Sequence, residues 1–128
     1  MKILLDTHIF LWWNGHASLI LPPLRRAIAE PDNEIYVSAA SIWEIGIKRA
    51  SGKLAVSGGI VAAIRDHGFQ LLPITGEHAE HAGALPRHHN DPFDRMLVAQ
   101  AEIERFVLGT QDPKVGTYGV AVLGLGGG

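Results

Sequence analysis

The chain has 128 residues, of which 47% are hydrophobic and 19% charged, so it is long enough for one compact domain with a buried core. It contains no cysteine, which excludes disulfides, thiolate zinc sites and cysteine nucleophiles. The formal net charge of −2 gives no overall attraction to nucleic acid, so any contact with RNA must come from local basic groups.

Apolar runs and turn residues in the first part of the chain predict two strands and three helices. In chain order these are a strand over 2–5, a helix over 9–13, a helix over 22–30, a strand over 34–37 and a helix that ends near 51. Ser38 or Ser41 is expected to cap the third of these helices. The N-terminal apolar run is too short for a signal peptide, and no apolar run is long enough to span a membrane, so we expect a cytoplasmic protein.

The second part of the chain continues the alternation of helices and strands. The predicted elements are a helix over 60–67, a strand over 69–72, a helix over 75–84, a helix over 92–105 and strands over 106–108 and 120–123. Asp91 is expected to cap the helix over 92–105, with Pro92 as its first residue and Asp94 in its first turn. This order predicts a three-layer α/β domain over 1–123 with a mainly parallel sheet, followed by a flexible Gly-rich tail over 124–128.

Four acids follow strands or lie in helices that begin at one edge of this sheet. They are Asp6, Glu44, Asp94 and Asp112. Sites in such sheets lie beyond the carboxyl ends of the strands, so these acids are expected to converge there. A converging set of carboxylates calls for a cation, and oxygen ligands without cysteine favour Mg²⁺ or Mn²⁺ over Zn²⁺.

Each of these acids also has a structural explanation. Asp6 equally fits a helix cap, Asp112 a turn residue before proline, and Glu44 a surface ion pair with Lys48 four residues later. Against that pair, Glu44 is the only charged residue between Ile35 and Ile47, and a lone acid in an apolar segment needs a partner. The seven histidines do not show the spacing of a structural zinc site, although loop histidines are candidates for contact with a substrate.

Four short motifs, taken together, resemble the PIN domain, and most closely the VapC-type toxins of bacterial toxin-antitoxin modules. They are Leu4-Leu5-Asp6-Thr7-His8, Ser38-Ala39-Ala40-Ser41-Ile42-Trp43-Glu44-Ile45, His88-His89-Asn90-Asp91-Pro92-Phe93-Asp94-Arg95 and Thr110-Gln111-Asp112. Their order and spacing match the family from about Met1 to Leu123. Each motif alone is weak, but the four in sequence are specific.

The resemblance implies a metal-dependent endoribonuclease that leaves a 5′-phosphate and a 3′-hydroxyl, with transfer RNA as a substrate suggested by analogy. It assigns the metal centre to the four acids above, with Asp91 ranked below them because of its capping position. It also implies a small antitoxin partner and a homodimer. Thr110 is expected to orient a water or a phosphate, and the nearest basic candidates for the RNA backbone are Lys48, Arg87, Arg95 and Lys114.

Two other functions remain open at this point. One is a binding module that keeps the fold but has lost catalysis, although such relatives usually lack one or more of the acids that are all present here. The other is a phosphatase with Asp6 as its nucleophile. That reaction wants a second aspartate two residues later, where this chain has His8.

Overall fold

The computed structural model describes residues 1–125 and contains five strands and seven α-helices in that range. The strands are β1 (Lys2–Leu5), β2 (Glu34–Ser38), β3 (Gln70–Leu72), β4 (Val107–Gly109) and β5 (Val122–Leu123). The helices are α1 (Thr7–Gly15), α2 (Pro22–Ala29), α3 (Ala39–Ala50), α4 (Ile60–Asp66), α5 (Gly76–Ala84), α6 (Pro92–Glu104) and α7 (Pro113–Gly116). Every predicted strand and helix is present, β1 with its predicted ends and the others with shifted ends, whereas α7 and a 3-10 turn at Ala17–Leu19 were not predicted.

All five strands run parallel, in the order β3-β2-β1-β4-β5. The predicted three-layer α/β fold is therefore confirmed. In the central strand β1, Leu5 pairs with Val37 on one side and Gly109 on the other. Ile3, Leu4 and Leu5 are fully buried because helices cover both faces of the sheet, which explains why this strand is a continuous apolar run.

Two apolar clusters fill the spaces between the sheet and its helices. On one face, Ile3 and Leu5 pack with residues of α1, α2 and α4, among them Ile9, Leu24 and Ile64. On the other face, Leu4 and Leu108 pack with residues of α5, α6 and α7, among them Ala82, Leu97 and Val115. No helix within residues 1–125 combines the length and the apolar character that crossing a lipid bilayer requires.

The order of the strands fixes where a site can form. From β1 the chain builds outward through β2 and β3, and it then returns to the other side of β1 to place β4 and β5. The connections leaving β1 and β4 therefore separate at the carboxyl edge and open a crevice there, the usual ligand position in parallel sheets. Asp6 and Thr110 are the first residues after these two strands.

The first two residues of the predicted tail pack against the domain. Gly124 has φ +114°, and a Cβ at this position would collide with the carbonyl oxygen of Thr110. A Cβ on Gly116 would come within 2.7 Å of the Leu125 side chain. The rest of the predicted tail, 126–128, lies outside the described residues, so its flexibility stays a prediction.

Candidate metal centre

Asp6 stands between the central strand and α1, and it serves as the N-cap of that helix. Its Oδ1 accepts a hydrogen bond of 2.8 Å from the backbone N–H of Ile9, and its Oδ2 accepts one from the hydroxyl of Thr110. Only 5% of the residue is exposed. Burial raises the pKa of the Asp6 carboxyl above its usual range, the two hydrogen bonds oppose that rise, and the charge of Asp112 adds to it.

Thr110 connects Asp6 to Asp112. Its fully buried hydroxyl donates to Asp6 and accepts a 3.1 Å hydrogen bond from the backbone N–H of Asp112. This differs from the expected contact with water or phosphate, because the single hydroxyl proton is already donated to a carboxylate. Asp112 is itself the N-cap of α7, with Oδ1 accepting from Lys114 N at 2.9 Å, so Oδ2 is the oxygen left to face the crevice.

The N-terminus of α6 supplies the third acid. Asp91 caps the helix as predicted, since its Oδ1 accepts from the backbone N–H groups of Phe93 at 2.8 Å and Asp94 at 3.1 Å. Asp94 lies in the first turn, and the pKa of its carboxyl is raised to about 6, mainly by burial. The negative charges of Asp91 and Asp6 contribute to this rise, whereas a hydrogen bond with His89 opposes it.

His89 joins the acids although sequence reasoning singled it out only as a loop histidine. Its Nε2 lies 2.8 Å from Asp94 Oδ2 and 3.9 Å from Asp112 Oδ2. Within residues 1–125, these three side chains form the one group whose potential ligand atoms all lie within 4.8 Å of one another. The sequence could have indicated this position, because His89 precedes Asp91 by two residues and therefore lies beside the start of α6.

Glu44 is buried in α3, with 3% of the residue exposed, and it lies outside that compact group. Its Oε1 accepts a 2.7 Å hydrogen bond from the Thr7 hydroxyl, and its Oε2 lies 2.6 Å from Lys48 Nζ. The Thr7 hydroxyl is also 2.9 Å from that of Ser41. The predicted ion pair with Lys48 is therefore present, whereas the role of Glu44 at the metal centre stays a prediction. Glu44 contacts Thr7, which follows Asp6 in the chain.

The acids at the start of α6 also affect the pKa of Lys48. Its hydrogen bond with Glu44 is the main cause that raises the pKa of the ammonium group, and the charges of Asp91 and Asp94 raise it as well. Burial of the amine acts in the opposite direction. Lys48 is therefore a fixed positive charge between Glu44 and the start of α6, near enough to the acids to influence an anionic substrate.

Arg95 has a structural position that the sequence did not predict. Its guanidinium donates to the backbone carbonyl oxygens of Ala82 and Leu85 at 3.0 Å, and to those of Pro86 and His89 at 3.4 and 3.5 Å. These bonds use the donors that an RNA phosphate would need. Arg87 and Lys114 are exposed, so their expected contact with RNA is compatible with their positions.

Two adjoining cavities extend from the acids along α1. The first has a volume of about 260 Å³ and is lined by Asp6, Asp112, His8 and Trp12, with Ile9 and Gln111. The second has a volume of about 390 Å³ and shares His8 and Trp12 with the first. Aromatic side chains beside carboxylates suit an unpaired nucleotide, whose base can stack while its phosphate approaches the acids.

The residues of this site fit a divalent cation. Three acids from separate elements, Asp6, Asp94 and Asp112, approach one another closely enough for each to influence the pKa of a neighbour. Their mutual repulsion in a partly buried crevice would be relieved by a bound cation. The donors are carboxylate oxygens and one imidazole nitrogen, which suits Mg²⁺ or Mn²⁺.

Comparisons with known proteins show the family and the fold. The sequence profile of the PIN domain family matches residues 3–119. No curated protein matches the chain by sequence.

The fold is similar to that of several solved structures. A chain of VapBC2 from Rickettsia felis, bound to a DNA fragment from their promoter, has a TM-score of 0.65 and 13% identity, with 96% of this chain and 98% of that chain covered. A chain of a toxin-antitoxin complex from Klebsiella pneumoniae has a TM-score of 0.62 and 21% identity, with 94% and 95% covered. A chain of VapBC-5 from Mycobacterium tuberculosis has a TM-score of 0.59 and 18% identity, with 95% of each covered.

Proposed function

The chain belongs to the PIN domain family, and from that membership we propose that it is a metal-dependent endoribonuclease that leaves 5′-phosphate and 3′-hydroxyl ends. One observation carries the proposal. Asp6 and Asp112 line a cavity of about 260 Å³ at the carboxyl edge of the sheet, together with His8 and Trp12, and Asp94 lies close to Asp112 in the group that includes His89. Acids that only capped helices would not need to approach one another. Burial is the main cause that raises the pKa of Asp6 and of Asp94, and the charges of neighbouring acids add to the rise.

Mg²⁺ or Mn²⁺ is the proposed cofactor, held by Asp6, Asp94 and Asp112, with Glu44 supporting the site. When bound, the ion lowers the pKa of a water ligand and stabilises the charge that develops on the phosphate. Thr110 fixes the Asp6 carboxylate, and the Asp91 cap fixes the helix turn that carries Asp94. Lys48 supplies positive charge beside the acids and is held in place by Glu44.

Single-stranded or looped RNA is the proposed substrate, with transfer RNA as the class to test first. We expect an unpaired base to stack against Trp12 or His8, which line both cavities, because stacking on aromatic side chains is a common mode of RNA recognition. Arg87 and Lys114 are exposed, two residues before His89 and two residues after Asp112, and they are the proposed contacts for the RNA backbone.

We infer a toxin role from the similar solved structures, which are complexes of toxin-antitoxin systems. The proposed partner is a small antitoxin whose tail places a basic side chain in the acidic crevice, and the proposed site of action is the cytoplasm. A homodimer is also proposed. Trp43, Ile47 and Ile74 expose 65%, 44% and 38% of their surfaces, and this apolar area is available to a second copy.

The deciding experiment is RNA cleavage by the purified protein, free of antitoxin, with Mg²⁺, Mn²⁺ or EDTA. Asp6→Asn and Asp94→Asn are compared with Asp32→Asn, which changes an exposed acid in a turn away from the site. Cleavage that needs metal, is lost in the first two variants and persists in the third supports the proposal, and mapped 5′-phosphate ends identify the substrate.

Two results would replace the nuclease with another function. RNA binding without cleavage under every metal condition would favour the inactive binding module. Trapping of an acyl phosphate on Asp6 would favour the phosphatase. The structure gives little support to a nucleophile at this position, because both oxygens of Asp6 accept hydrogen bonds and the residue is buried.

A further inference from the structure

We propose that His89 is a direct nitrogen ligand of the divalent ion, together with Asp94 and Asp112, and that this ligand makes the centre prefer Mn²⁺ to Mg²⁺. The inference rests on the proposed function and deepens it by naming a ligand and a metal preference. The sequence motifs assign the metal centre to four acids, and the match to the family profile assigns no role to this histidine.

The two distances from His89 to the acids match those between ligands around one ion. Two ligands about 2.1 Å from a metal lie about 3 Å apart when they are adjacent and about 4.2 Å apart when they are opposite. His89 Nε2 is 2.8 Å from Asp94 Oδ2 and 3.9 Å from Asp112 Oδ2. All three potential ligand atoms fall within 4.8 Å of one another. Only small adjustments are needed for one ion to contact all three.

His89 approaches a second acid besides Asp94, which a role limited to orienting Asp94 does not require. His89 lies between carboxylates that belong to different elements, one at the start of α6 and one at the start of α7. Its side chain is only 14% exposed, so the ring faces the acids rather than solvent. This is the arrangement expected when a ring nitrogen and two carboxylate oxygens share a cation.

The backbone of His89 is held in place before any ion binds. The N–H of His89 donates to the Tyr118 hydroxyl at 2.9 Å, and that hydroxyl donates back to the His89 carbonyl oxygen at 3.1 Å. Arg95 also reaches this carbonyl and binds three others in the same loop region. Such fixation reduces the entropy that a loop residue loses when it becomes a ligand.

The chemistry of the donors gives the metal preference. Mg²⁺ is bound through oxygen and gives up its waters reluctantly, whereas transition ions accept imidazole nitrogen readily. A site with one nitrogen and two carboxylate oxygens therefore gains more affinity for Mn²⁺ from the histidine than it does for Mg²⁺.

The test measures metal binding directly on the full chain. Pulsed electron paramagnetic resonance on the Mn²⁺-loaded protein reports nitrogen-14 coupling, and calorimetry gives the Kd values for Mn²⁺ and Mg²⁺. His89→Ala removes the ligand, and His89→Gln keeps a donor for Asp94 but no imidazole nitrogen. His88→Ala is the matched control, because His88 neighbours His89 and its ring contacts that of Tyr118 at 5.1 Å between centroids.

We expect nitrogen coupling in the wild type and in His88→Ala, and its loss in both His89 variants. We also expect the Kd for Mn²⁺ to rise about 10-fold or more in the His89 variants, with a smaller change for Mg²⁺. Tight Mn²⁺ binding without nitrogen coupling in the wild type would overturn the ligand role while leaving the nuclease intact. A wild-type protein that binds neither ion would overturn both proposals. Equal effects of the His88 and His89 changes would show that the loss of metal binding comes from a disturbed loop, and this would overturn the ligand role of His89.

Discussion

The hydroxyl of Thr110 donates a hydrogen bond to Asp6, and the same oxygen accepts one from the backbone N–H of Asp112. One buried side chain thus connects two acids that lie at opposite ends of the chain. Thr110 can do this because β4 lies directly beside β1, so the residues that follow the two strands become neighbours.

Replacement of Thr110 tests this connection. Thr110→Val keeps the shape but leaves both Asp6 Oδ2 and the N–H of Asp112 without a partner, so we expect a loss of stability of about 1–3 kcal/mol and weaker metal binding. Thr110→Ser keeps the hydroxyl and serves as the control. Chemical denaturation and metal titration measure the two effects. Equal behaviour of the valine and serine variants would show that the hydroxyl is not needed.

Asp94 should give the metal-free protein a measurable pH dependence. The pKa of its carboxyl is raised to about 6 in the folded state from an ordinary value of 3.8. The folded state therefore holds the proton more tightly, and the stability that this contributes is present below the ordinary pKa and is lost as the pH rises through about 6.

Thermal unfolding in EDTA at about pH 5 and about pH 7.5 measures this contribution. We expect the Tm of Asp94→Asn minus the Tm of the wild type to increase from the lower to the higher pH, because residue 94 of the variant cannot ionise. A Tm difference that stays constant would contradict the raised pKa. Metal affinity of the wild type should fall below about pH 6, since a protonated Asp94 competes with the ion for its oxygen.

The ion pair between Glu44 and Lys48 is expected to contribute to folding, because Glu44 is almost fully buried. Lys48→Met leaves a buried carboxylate without its cation, and we expect a loss of about 1–3 kcal/mol in the free energy of unfolding. Adding Glu44→Gln should recover part of that loss, because the unpaired charge is then gone. A double-mutant cycle by urea denaturation gives the coupling, and strictly additive effects would contradict a direct pair.

Arg95 and Arg87 are expected to differ in their effects on RNA binding. Arg95→Ala removes donors from several backbone carbonyls, so we expect lower stability by about 1–3 kcal/mol with an unchanged salt dependence of RNA binding. Arg87→Ala removes an exposed charge, so we expect unchanged stability and a salt slope reduced by about 0.7. Binding to inactive Asp94→Asn protein at several salt concentrations provides the slopes, and the reverse pattern would make Arg95 the RNA contact.

Gly124 should be required for folding although it lies in the segment that the sequence predicted to be a tail. Its φ of +114° and its contact with the Thr110 carbonyl leave no room for a Cβ, so we expect Gly124→Ala to lose about 1–3 kcal/mol. Gly83→Ala in α5 is the control, since a Cβ there meets nothing within 4 Å. Equal stability of the two variants would show that Gly124 does not pack as described.

Local sequence signals predicted most of the strands and helices, including the end of β1 and the start of α6, which carry Asp6 and Asp94. The aliphatic run before Asp6 predicted β1 because a strand buried on both faces has no polar side to display. Asp91 and Pro92 located the start of α6 because an acid cap followed by proline suits the first turn of a helix. By contrast, α7 was missed because its four residues carry almost no periodic signal, although Asp112 caps it.

The sequence by itself determined the parallel α/β fold, the family and the acids that face the crevice, because strand patterning, helix caps and motif spacing are local properties. Only the tertiary structure decided how those acids are partnered. Thr110 turned from a candidate for water contact into the link between Asp6 and Asp112, Arg95 became the support of a loop, and His89 joined Asp94 and Asp112 in the group of potential metal ligands. Such roles depend on which elements become neighbours in the fold. Side chains that come into contact because their strands or helices are adjacent show no periodic pattern in the sequence.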